Sequence, residues 1–294
     1  TYLDGTLGGG GHAGEVLKRL TTGRLIGIDR DPAAIEAAGE RLAGHADRLT
    51  LLRGNFHDAG ALLHSIGVTA LDGALLDLGV SSHQLDVRER GFSYHDDAPL
   101  DMRMDPSGRL TAADIVNTWP EREIARVLRD WGEENWAAQI ARVICDRRAA
   151  APIQTTAQLV AVVDAAIPKK FRQGDGSHPA RRTFQALRIA VNDELEPLAG
   201  ALCDIAQLLK PGGRLAVISF HSLEDRIVKR TFRGLAQPCT CPPGFPVCVC
   251  GRRPTARPVN RKPIAASPGE VRENPRARSA MLRAIEKLPP GEEA

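Results

Sequence analysis

The stretch DGTLGGGGH, residues 4–12, decides the fold of this chain. It follows a short apolar run that ends at Asp4, and its glycines let the backbone turn sharply and approach a ligand closely. A helix is expected to begin near His12. The next apolar run, residues 24–28, predicts a second strand that delivers Asp29 to its carboxyl end, where a carboxylate can accept hydrogen bonds from ribose hydroxyls. The sequence therefore predicts one nucleotide-binding half of a parallel α/β sheet.

Two cofactors fit this pattern. Gly9, Gly11 and Gly14 satisfy the dinucleotide fingerprint, and an acid follows about 20 residues on. Asp4 discriminates between the two, because a carboxylate is unfavourable beside a pyrophosphate but suits the ammonium of a methionine moiety. The pattern favours S-adenosylmethionine over NAD. A glycine-rich turn in an ordinary α/β domain is the remaining alternative, and the independent match at Asp29 argues against it.

The same alternation of strands and helices continues to residue 76. A helix is predicted over residues 32–42, and strands over residues 49–53 and 71–76. Phe56 follows the third strand, where it either stacks on an adenine or fills the core. Asp77 follows the fourth strand, where it either meets the reacting group or caps the next helix. Because ligands of open parallel sheets bind beyond the carboxyl ends of the strands, these side chains are expected to converge there.

The alternation then stops for about a hundred residues, in which three helical patterns follow one another. They cover residues 121–131, 134–148 and 156–167. A long helix after residue 183 is expected to reach Leu209, and a buried strand follows at residues 214–219. The fold class predicted is therefore α/β, a Rossmann-like sheet with an inserted all-helical domain. We place the first part of the sheet domain at 1–103, the inserted substrate-recognition domain at 104–183, and the second part at 184–294.

The amino-acid composition is that of a globular protein. It has 294 residues, of which 43% are hydrophobic and 26% charged, enough for a large core and an inserted domain. The longest apolar stretch, residues 159–167, is interrupted by Asp164, so we expect no membrane span. We also expect no secretory leader, and therefore a cytoplasmic location. The chain opens inside a strand, which indicates that native residues precede it. The oligomeric state stays open, a homodimer included.

Charge is distributed unevenly along the chain. Residues 226–283 hold thirteen Lys and Arg but only two acidic residues, so this segment carries about +11 and the remainder about −8. Such a segment favours a nucleic-acid partner, with a solvated basic surface as the alternative. Arg181 and Arg188, seven residues apart near the return from the inserted domain, are candidate substrate-binding residues, or plain helix-surface arginines. His221 is a candidate base or phosphate ligand, unless Ser222 caps the following helix and His221 packs beside it.

Four of the six cysteines crowd together as Cys239-x-Cys241 and Cys248-x-Cys250. Four thiolates at this spacing can close around one structural Zn²⁺. The two C-x-C pairs are tighter than the usual C-x₂₋₄-C spacing, which favours the alternative of reduced thiols in a surface loop. Neither interpretation makes the cluster catalytic.

Several long blocks of this sequence resemble the ribosomal RNA small subunit methyltransferase H family. They are residues 4–12, 29–32, 77–82, 91–94, 99–105, 178–185, 219–226 and 274–279. The resemblance implies a class I S-adenosylmethionine-dependent methyltransferase with a Rossmann-like sheet and an inserted all-helical domain. It further implies transfer of a methyl group from S-adenosylmethionine to N4 of a cytidine in the decoding centre, at the P site, of bacterial 16S rRNA. The partner it implies is 16S rRNA or the small ribosomal subunit. Carried over position by position, the resemblance places the cofactor site at Gly10, Gly11, His12, Asp29, Phe56, Asp77 and Gln84. The strand pattern points independently to all of these positions except Gln84, which rests on the resemblance alone.

Methyl transfer to an exocyclic amine requires hydrogen-bond acceptors on its N–H groups, since the amine lone pair is delocalised into the ring. Asp77 is the first candidate, and Ser81, Ser82 and Asp101 share the remaining work in a division that the sequence leaves open. A base held in folded RNA would have to be unstacked to react. Three other functions stay open: a DNA amino-methyltransferase, an NAD-linked oxidoreductase, and a non-catalytic assembly factor that binds small-subunit RNA.

Overall fold

A computed structural model describes residues 1–171, 178–242, 247 and 249–291. The chain divides into two compact units. The first unit combines residues 1–79 with residues 195–294, and the second comprises residues 80–194. The chain thus leaves the first unit once and returns to it once.

The first part of the first unit alternates strictly between strands and helices. In chain order its elements are β1 (Tyr2–Asp4), α1 (Gly11–Arg19), β2 (Leu25–Asp29), α2 (Pro32–Arg41), β3 (Leu49–Arg53), α3 (Ala59–Ser65) and β4 (Leu71–Asp77). Short 3₁₀ turns occupy Ala43–His45 and Phe56–Asp58. Pro32 begins α2, and the side chain of Asp31 caps it by accepting a hydrogen bond from the Ala33 N–H at 3.1 Å. Each predicted element here is confirmed, with ends within one residue.

The second unit is helical in the residues that the structure describes, 80–171 and 178–194. It contains α4 (Ser82–Asp86), α5 (Ala112–Thr118), α6 (Glu121–Asp130), α7 (Ala137–Ala150), α8 (Thr156–Ala166) and α9 (Arg181–Asn192), with 3₁₀ turns at Arg88–Arg90 and Lys169–Phe171. Apolar faces of these helices form one core around residues such as Ile115, Ile140 and Leu159. The prediction of an inserted all-helical domain is confirmed.

The chain returns to the first unit with α10 (Leu198–Leu208), β5 (Leu209–Ser219), α11 (Ser222–Ala236), β6 (Ala256–Pro258), β7 (Ile264–Ala265), α12 (Pro268–Glu273) and β8 (Met281–Lys287), with a 3₁₀ turn at Pro275–Ser279. The sheet order is β3-β2-β1-β4-β5-β8-β6, and β7 pairs with β8. Strands β1 to β5 are parallel, whereas β8 runs antiparallel to β5. The order 3-2-1-4-5 of the parallel strands is that of a Rossmann-like sheet, so the predicted α/β fold class is confirmed.

Helices supply apolar side chains to two clusters that cover the strands of the first unit. One joins Leu3, Ile28 and Leu76 to side chains of α3, α10 and α11, and the other joins Leu7 and Leu25 to side chains of α1 and α2. Strands covered by helices in this way read as nearly continuous apolar runs, which is why β2 and β4 were recognisable in the sequence.

The predicted long helix toward Leu209 is two helices. Asp193 adopts a left-handed conformation with a φ of 49° and ends α9, and Pro197 precedes α10. A residue that precedes proline is disfavoured in the helical conformation, so Glu196 cannot continue the helix easily. The predicted helix was therefore wrong in its length, although both halves are helical.

The unit boundaries fall at 79/80 and 194/195, whereas the sequence placed the domain boundaries at 103/104 and 183/184. The segment 88–109 contains no long helix or strand, but Phe92, Leu100, Met102 and Met104 are buried in the core of the second unit. Helix α9 contributes Phe184 and Leu187 to that same core. Because these side chains are buried in its core, segment 88–109 and helix α9 both belong to the second unit.

Candidate functional site

Three carboxylates end neighbouring parallel strands of the first unit. Asp4, Asp29 and Asp77 are the last residues of β1, β2 and β4. Asp4 is paired in register with Gly27 of β2 and with Leu75 of β4, so all three carboxylates lie at one edge of the sheet. The convergence that the sequence predicted for these three residues is thus present in the first unit.

The loop between β1 and α1 is fixed to both neighbouring strands. The Gly8 N–H donates to Oδ2 of Asp29 at 2.8 Å, and the Leu7 N–H donates to the Ile28 carbonyl at 3.0 Å. On the other side, the Asp77 N–H donates to the Thr6 hydroxyl at 2.6 Å. The loop is therefore held in one conformation by contacts that do not require a ligand.

The glycines of this loop serve different purposes. Gly10 has a φ of 75°, and a Cβ there would lie 2.9 Å from the Leu42 side chain. The fold itself thus favours glycine at this position. A Cβ at Gly9 or Gly11 would meet nothing within 4 Å. At Gly11, which begins α1, the open space is available to a ligand at a helix N-terminus.

Asp4 is the most unusual group at this edge. Its side chain accepts from the Thr6 N–H at 3.2 Å through Oδ1, while Oδ2 is buried and has no hydrogen-bond partner in the part of the chain that the structure describes. Only 2% of the residue is exposed. The pKa of Asp4 is raised to about 6. Burial is the main cause and the neighbouring Asp77 and Asp29 carboxylates add to it, whereas the Thr6 N–H and His12 oppose the rise. An unpaired buried carboxylate oxygen is costly, and it suits a cationic ligand.

His12 and Asp77 form a second polar pair. Nε2 of His12 lies 3.4 Å from Oδ2 of Asp77, and their side chains are 50% and 31% exposed. The hydrogen bond to Asp77 raises the pKa of His12 and outweighs the lowering effect of partial burial. Oδ1 of Asp77 is buried and lacks a partner among the described residues. Asp77 therefore retains an acceptor atom that the fold does not use.

Asp29 accepts a second backbone hydrogen bond in addition to the one from the loop. Its Oδ1 accepts from the Asp31 N–H at 2.9 Å. Burial raises the pKa of Asp29, and these two N–H donors oppose that rise. Each carboxylate oxygen has two lone pairs, so two further hydroxyl donors can still be accepted.

Phe56 lies close to this edge but is mostly buried. The residue is 8% exposed and belongs to the apolar cluster that also contains Leu76. Its ring meets the His57 ring edge-on at 4.4 Å. Burial lowers the pKa of His57 to about 4, so that ring is neutral at pH 7. Phe56 is thus a core residue in this structure, and its role toward a cofactor stays a prediction.

Ser81, Gln84 and Asp101 belong to the second unit, where each has local partners. Ser81 caps α4: its hydroxyl accepts from the Gln84 N–H at 3.2 Å, and the Gln84 side chain accepts from the Ser81 N–H at 3.1 Å. Asp101 makes a bidentate pair with Arg103 at 2.8 and 2.6 Å. Partial burial would raise the pKa of Asp101, but the contacts with Arg103 prevail and hold it below its usual value. The catalytic and cofactor roles assigned to these residues stay predictions.

The candidate substrate-binding residues differ in how much surface they offer. Arg181 is exposed and is the first residue of α9. The helix therefore includes both Arg181 and Arg188, as required for the two side chains to share one helix face. Arg188 pairs with Glu194 through two hydrogen bonds of 2.9 and 2.8 Å. His221, not Ser222, is the N-cap of α11; its Nδ1 lies 3.4 Å from the Glu224 N–H, and its side chain is 9% exposed.

The basic C-terminal segment is partly neutralised within the first unit. Arg283 of β8 forms a bidentate pair with Asp225 of α11 at 2.7 and 2.9 Å, and Arg257 lies 2.6 Å from Glu286. Arg252, Arg253 and Arg261 are exposed. The charge count from the sequence therefore overstates the positive charge that this segment presents to a partner.

Three of the four clustered cysteines are described. The Sγ atoms of Cys239, Cys241 and Cys250 lie within 4.8 Å of one another. Cys248, the fourth predicted ligand, lies outside the described residues.

Two functional candidates were missed in the sequence. Thr6 holds the backbone of Asp77, a residue 71 positions away, and a hydroxyl within a glycine-rich loop gives no local signal of such a contact. His57 is the other, and a histidine after a strand is too common to single out. Only the neighbouring Phe56 drew attention to that position.

The model of the MraW methylase family matches residues 1–288. A curated ribosomal RNA small subunit methyltransferase H from Symbiobacterium thermophilum is 60% identical over the whole of this chain and 92% of the relative. One from Heliobacterium modesticaldum is 58% identical over 98% of this chain and 92% of the relative. A solved rRNA methylase from Streptococcus thermophilus is 10% identical, with a TM-score of 0.42, over 98% of this chain and 86% of that one.

None of the helices in the described ranges is both long enough and apolar enough to cross a bilayer. The resemblance to ribosomal RNA small subunit methyltransferase H that the sequence blocks indicated is confirmed by the curated relatives. Because the family model extends over nearly its whole length, the chain belongs to the MraW methylase family.

Proposed function

We propose that this chain uses S-adenosylmethionine to methylate N4 of a cytidine in the decoding centre of 16S rRNA, within the small ribosomal subunit. The observation that carries the proposal is the buried Oδ2 of Asp4, which has no hydrogen-bond partner among the described residues and lies beside Asp29 and Asp77 at one sheet edge. The names of the curated relatives support the choice of ribosomal RNA.

Asp4 is the group expected to bind the ammonium of the cofactor. Its Oδ2 needs a donor, and a cation there would remove the cost of a buried charge that now raises its pKa. Asp29 has lone pairs left for the two ribose hydroxyls, and Gly11 leaves room at the start of α1. Phe56 and Gln84 are assigned to the same cofactor by the family resemblance.

Bound S-adenosylmethionine supplies an electrophilic methyl on a sulfonium that is its own leaving group. The protein therefore needs no covalent nucleophile and has to align the acceptor nitrogen with the methyl and the sulfur. Asp77 is proposed to accept a hydrogen bond from the cytosine amine through the oxygen that His12 does not occupy, and to receive the proton that the nitrogen loses. His12 keeps the other oxygen of Asp77 oriented.

The remaining candidates act around this reaction. Ser81 and Asp101 are proposed to position the acceptor base, Asp101 through its pair with Arg103. Arg181, Arg188 and His221 are proposed to contact RNA, with Arg181 the most exposed of the three. The cysteine group takes no part in the chemistry. A ribosomal substrate would place the protein in the cytoplasm.

The test begins with cells that lack the protein. Nucleoside and fragment mass spectrometry of their 16S rRNA should show the loss of one methyl group at one cytidine, and complementation with this chain should restore it. Purified protein is then incubated with labelled S-adenosylmethionine and with naked 16S rRNA, 30S subunits taken from the deficient cells, or duplex DNA. Label on N4 of a cytidine in either ribosomal substrate is the expected result.

Each competing function predicts another outcome of the same experiment. Preferential labelling of duplex DNA would indicate a DNA amino-methyltransferase. Binding of small-subunit RNA without transfer in any assay would indicate an assembly factor. Binding of NADH, without affinity for S-adenosylmethionine, would return the glycine loop to its dinucleotide interpretation.

A further inference from the structure

A cluster of sulfur atoms lies in the connection between α11 and β6. It is formed by Cys239, Cys241 and Cys250, which follow α11 and precede β6 in the chain. Cys239 is exposed, and the other two are half-buried. Each residue offers one Sγ atom, and all three atoms lie within 4.8 Å of one another. Cys250 is thus brought to within reach of Cys239, 11 positions earlier in the chain, and of Cys241.

The distances match a metal site better than a disulfide. The Sγ atoms of Cys239 and Cys250 are 3.8 Å apart. A disulfide would require a separation of about 2.05 Å. In a tetrahedral zinc thiolate site the Zn–S distance is about 2.3 Å, which places two sulfur ligands about 3.8 Å apart. The separation of this pair is therefore that of two corners of a zinc tetrahedron.

The position of the Cys241 sulfur answers the objection that the C-x-C spacing is too tight for a zinc site. Cys239 and Cys241 are separated by one residue, which is tighter than the spacing found in most zinc sites. Their Sγ atoms nevertheless lie within 4.8 Å of each other, so both side chains are directed to the same point in space. A movement of less than about 1 Å would bring this pair to the tetrahedral separation.

We propose that Cys239, Cys241 and Cys250 bind a structural Zn²⁺ ion. Three thiolates favour a thiophilic metal over Mg²⁺ or Ca²⁺, which prefer oxygen ligands. The sequence offers Cys248 as a further thiolate, but the proposal rests on the three cysteines whose positions are described.

The metal would organise the connection between α11 and β6. The described residues between Gln237 and Thr255 form no helix or strand. A metal that joins Cys239 to Cys250 closes a loop of about a dozen residues and restricts its unfolded states. Only Gly251 separates the last ligand from Arg252 and Arg253, so the metal would also limit the movement of two exposed cations. Its role would be structural, and methyl transfer would not pass through it.

The test measures metal content in the full chain, purified without chelators and without a histidine tag. Elemental mass spectrometry should find about one zinc per chain, and a Cys239→Ser, Cys241→Ser double variant should lose at least 80% of it. Cys203→Ser is the matched control, because this half-buried cysteine of α10 lies outside the cluster. That variant should retain its zinc. Cobalt exchanged into the wild type should give the intense visible bands of tetrahedral thiolate coordination, and the double variant should not.

Limited trypsin digestion then gives a readout independent of metal analysis. Removal of zinc with a strong chelator should increase cleavage after Arg252 at least fivefold, and added Zn²⁺ should reverse the effect. Circular dichroism shows whether the double variant remains folded. Less than 0.2 zinc per chain in the wild type, a Cys239–Cys250 disulfide found by mass spectrometry, or stoichiometric iron in place of zinc would each overturn the proposal.

Discussion

Nε2 of His12, in the first turn of α1, lies 3.4 Å from Oδ2 of Asp77 at the end of β4. The contact occupies one oxygen of Asp77 and raises the pKa of His12. The other oxygen is buried and has no partner within the described residues. One carboxylate therefore has an oriented atom and an available atom, which is the arrangement that a hydrogen-bond acceptor for a reacting amine requires.

Asp77→Asn should abolish most of the methyl transfer. The amide keeps the shape of the side chain but loses the charge that receives a proton, so kcat should fall by about 100- to 10,000-fold. Asp72→Asn is the matched control, because Asp72 lies at the opposite end of β4 and pairs with Lys210 at 2.9 Å. Single-turnover assays on 30S subunits measure both variants. Transfer within twofold of the wild type by a cofactor-loaded Asp77→Asn variant would contradict the proposed role.

The same variant should change His12. Because the hydrogen bond to Asp77 raises the pKa of His12, its loss should lower that pKa toward the ordinary value. In the wild type the raised pKa contributes stability that is complete below pH 6.5 and is lost as pH rises through the folded-state value. Histidine NMR titration of wild type and variant measures the shift. An unchanged His12 titration would mean that the 3.4 Å contact does not form in solution.

Asp4→Asn should affect stability and cofactor binding in opposite directions. The pKa of Asp4 is raised to about 6, so the folded state binds an extra proton between pH 4 and pH 6 and becomes less stable as pH rises through that range. The Asp4→Asn variant has no carboxylate to titrate at this position, so it does not lose stability in this way as pH rises. Its stability relative to the wild type should therefore rise by about 2 kcal/mol between pH 4.5 and pH 7.5. Urea unfolding at both pH values measures the change, and a pH-independent difference would contradict the raised pKa.

Cofactor affinity should separate Asp4 from Asp29. Asp4→Asn should weaken S-adenosylmethionine by at least about tenfold, since a charged hydrogen bond is worth about 1.5–3 kcal/mol. It should leave methylthioadenosine, which lacks the amino-acid moiety, within about twofold. Asp29→Asn should weaken both ligands by similar factors, because both carry the ribose hydroxyls. Calorimetric titration decides between these expectations, and an equal loss for both ligands in Asp4→Asn would place Asp4 elsewhere in the site.

Two adjacent glycines should respond differently to the same substitution. Gly10→Ala should lower the free energy of unfolding by about 1–2 kcal/mol, because its φ is 75° and the new Cβ would lie 2.9 Å from Leu42. Gly11→Ala should leave stability unchanged or slightly higher, since Ala favours a helix and a Cβ meets nothing within 4 Å. It should nevertheless weaken the cofactor by about tenfold or more by filling the ligand's space.

Gly200→Ala provides the control for that pair. Gly200 lies in α10, and a Cβ there also meets nothing within 4 Å. Thermal unfolding and cofactor titration of the three variants complete the comparison. If Gly11→Ala bound cofactor as tightly as Gly200→Ala, the open space at Gly11 would not belong to the cofactor site.

Local patterns explain how much of this fold and site could be predicted. Strands β1, β2 and β4 are apolar runs that each end in aspartate, so strand, site edge and candidate residue were visible in one short stretch. The helices of the second unit have apolar residues at helical spacing. These features depend on neighbours in the sequence, and the structure confirms the elements that they predict.

Features that depend on distant parts of the chain escaped prediction. Strand β8 contains two basic residues and one acidic residue, and it is identified by its pairing with β5, about 70 residues away. Segment 88–109 lacks periodicity, yet Met102 and Met104 are fixed in the second unit by the Asn192 amide, with hydrogen bonds of 2.8 and 2.7 Å. The pairs of Asp101 with Arg103 and of Arg188 with Glu194 likewise altered the interpretation of candidate residues.

Thr6 allows a test of whether the loop positions Asp77. Its hydroxyl accepts the Asp77 N–H at 2.6 Å, so Thr6→Val leaves that donor without its partner while keeping the shape of the side chain. The free energy of unfolding should fall by about 1–2 kcal/mol. We expect kcat to fall about tenfold, since small displacements of a reacting group are costly. Cofactor affinity should stay within about threefold, because Asp4 is contacted by the backbone N–H of Thr6 and not by its hydroxyl.

Thr6→Ser restores the hydroxyl and should recover both stability and kcat. This rescue distinguishes positioning from packing, because Ser lacks the methyl group that Val retains. Unfolding, single-turnover rates and cofactor titration of the two variants therefore separate the alternatives. If Thr6→Ser were as impaired as Thr6→Val, or if cofactor affinity fell in parallel with kcat, the loop would act through its shape and not through the bond to Asp77.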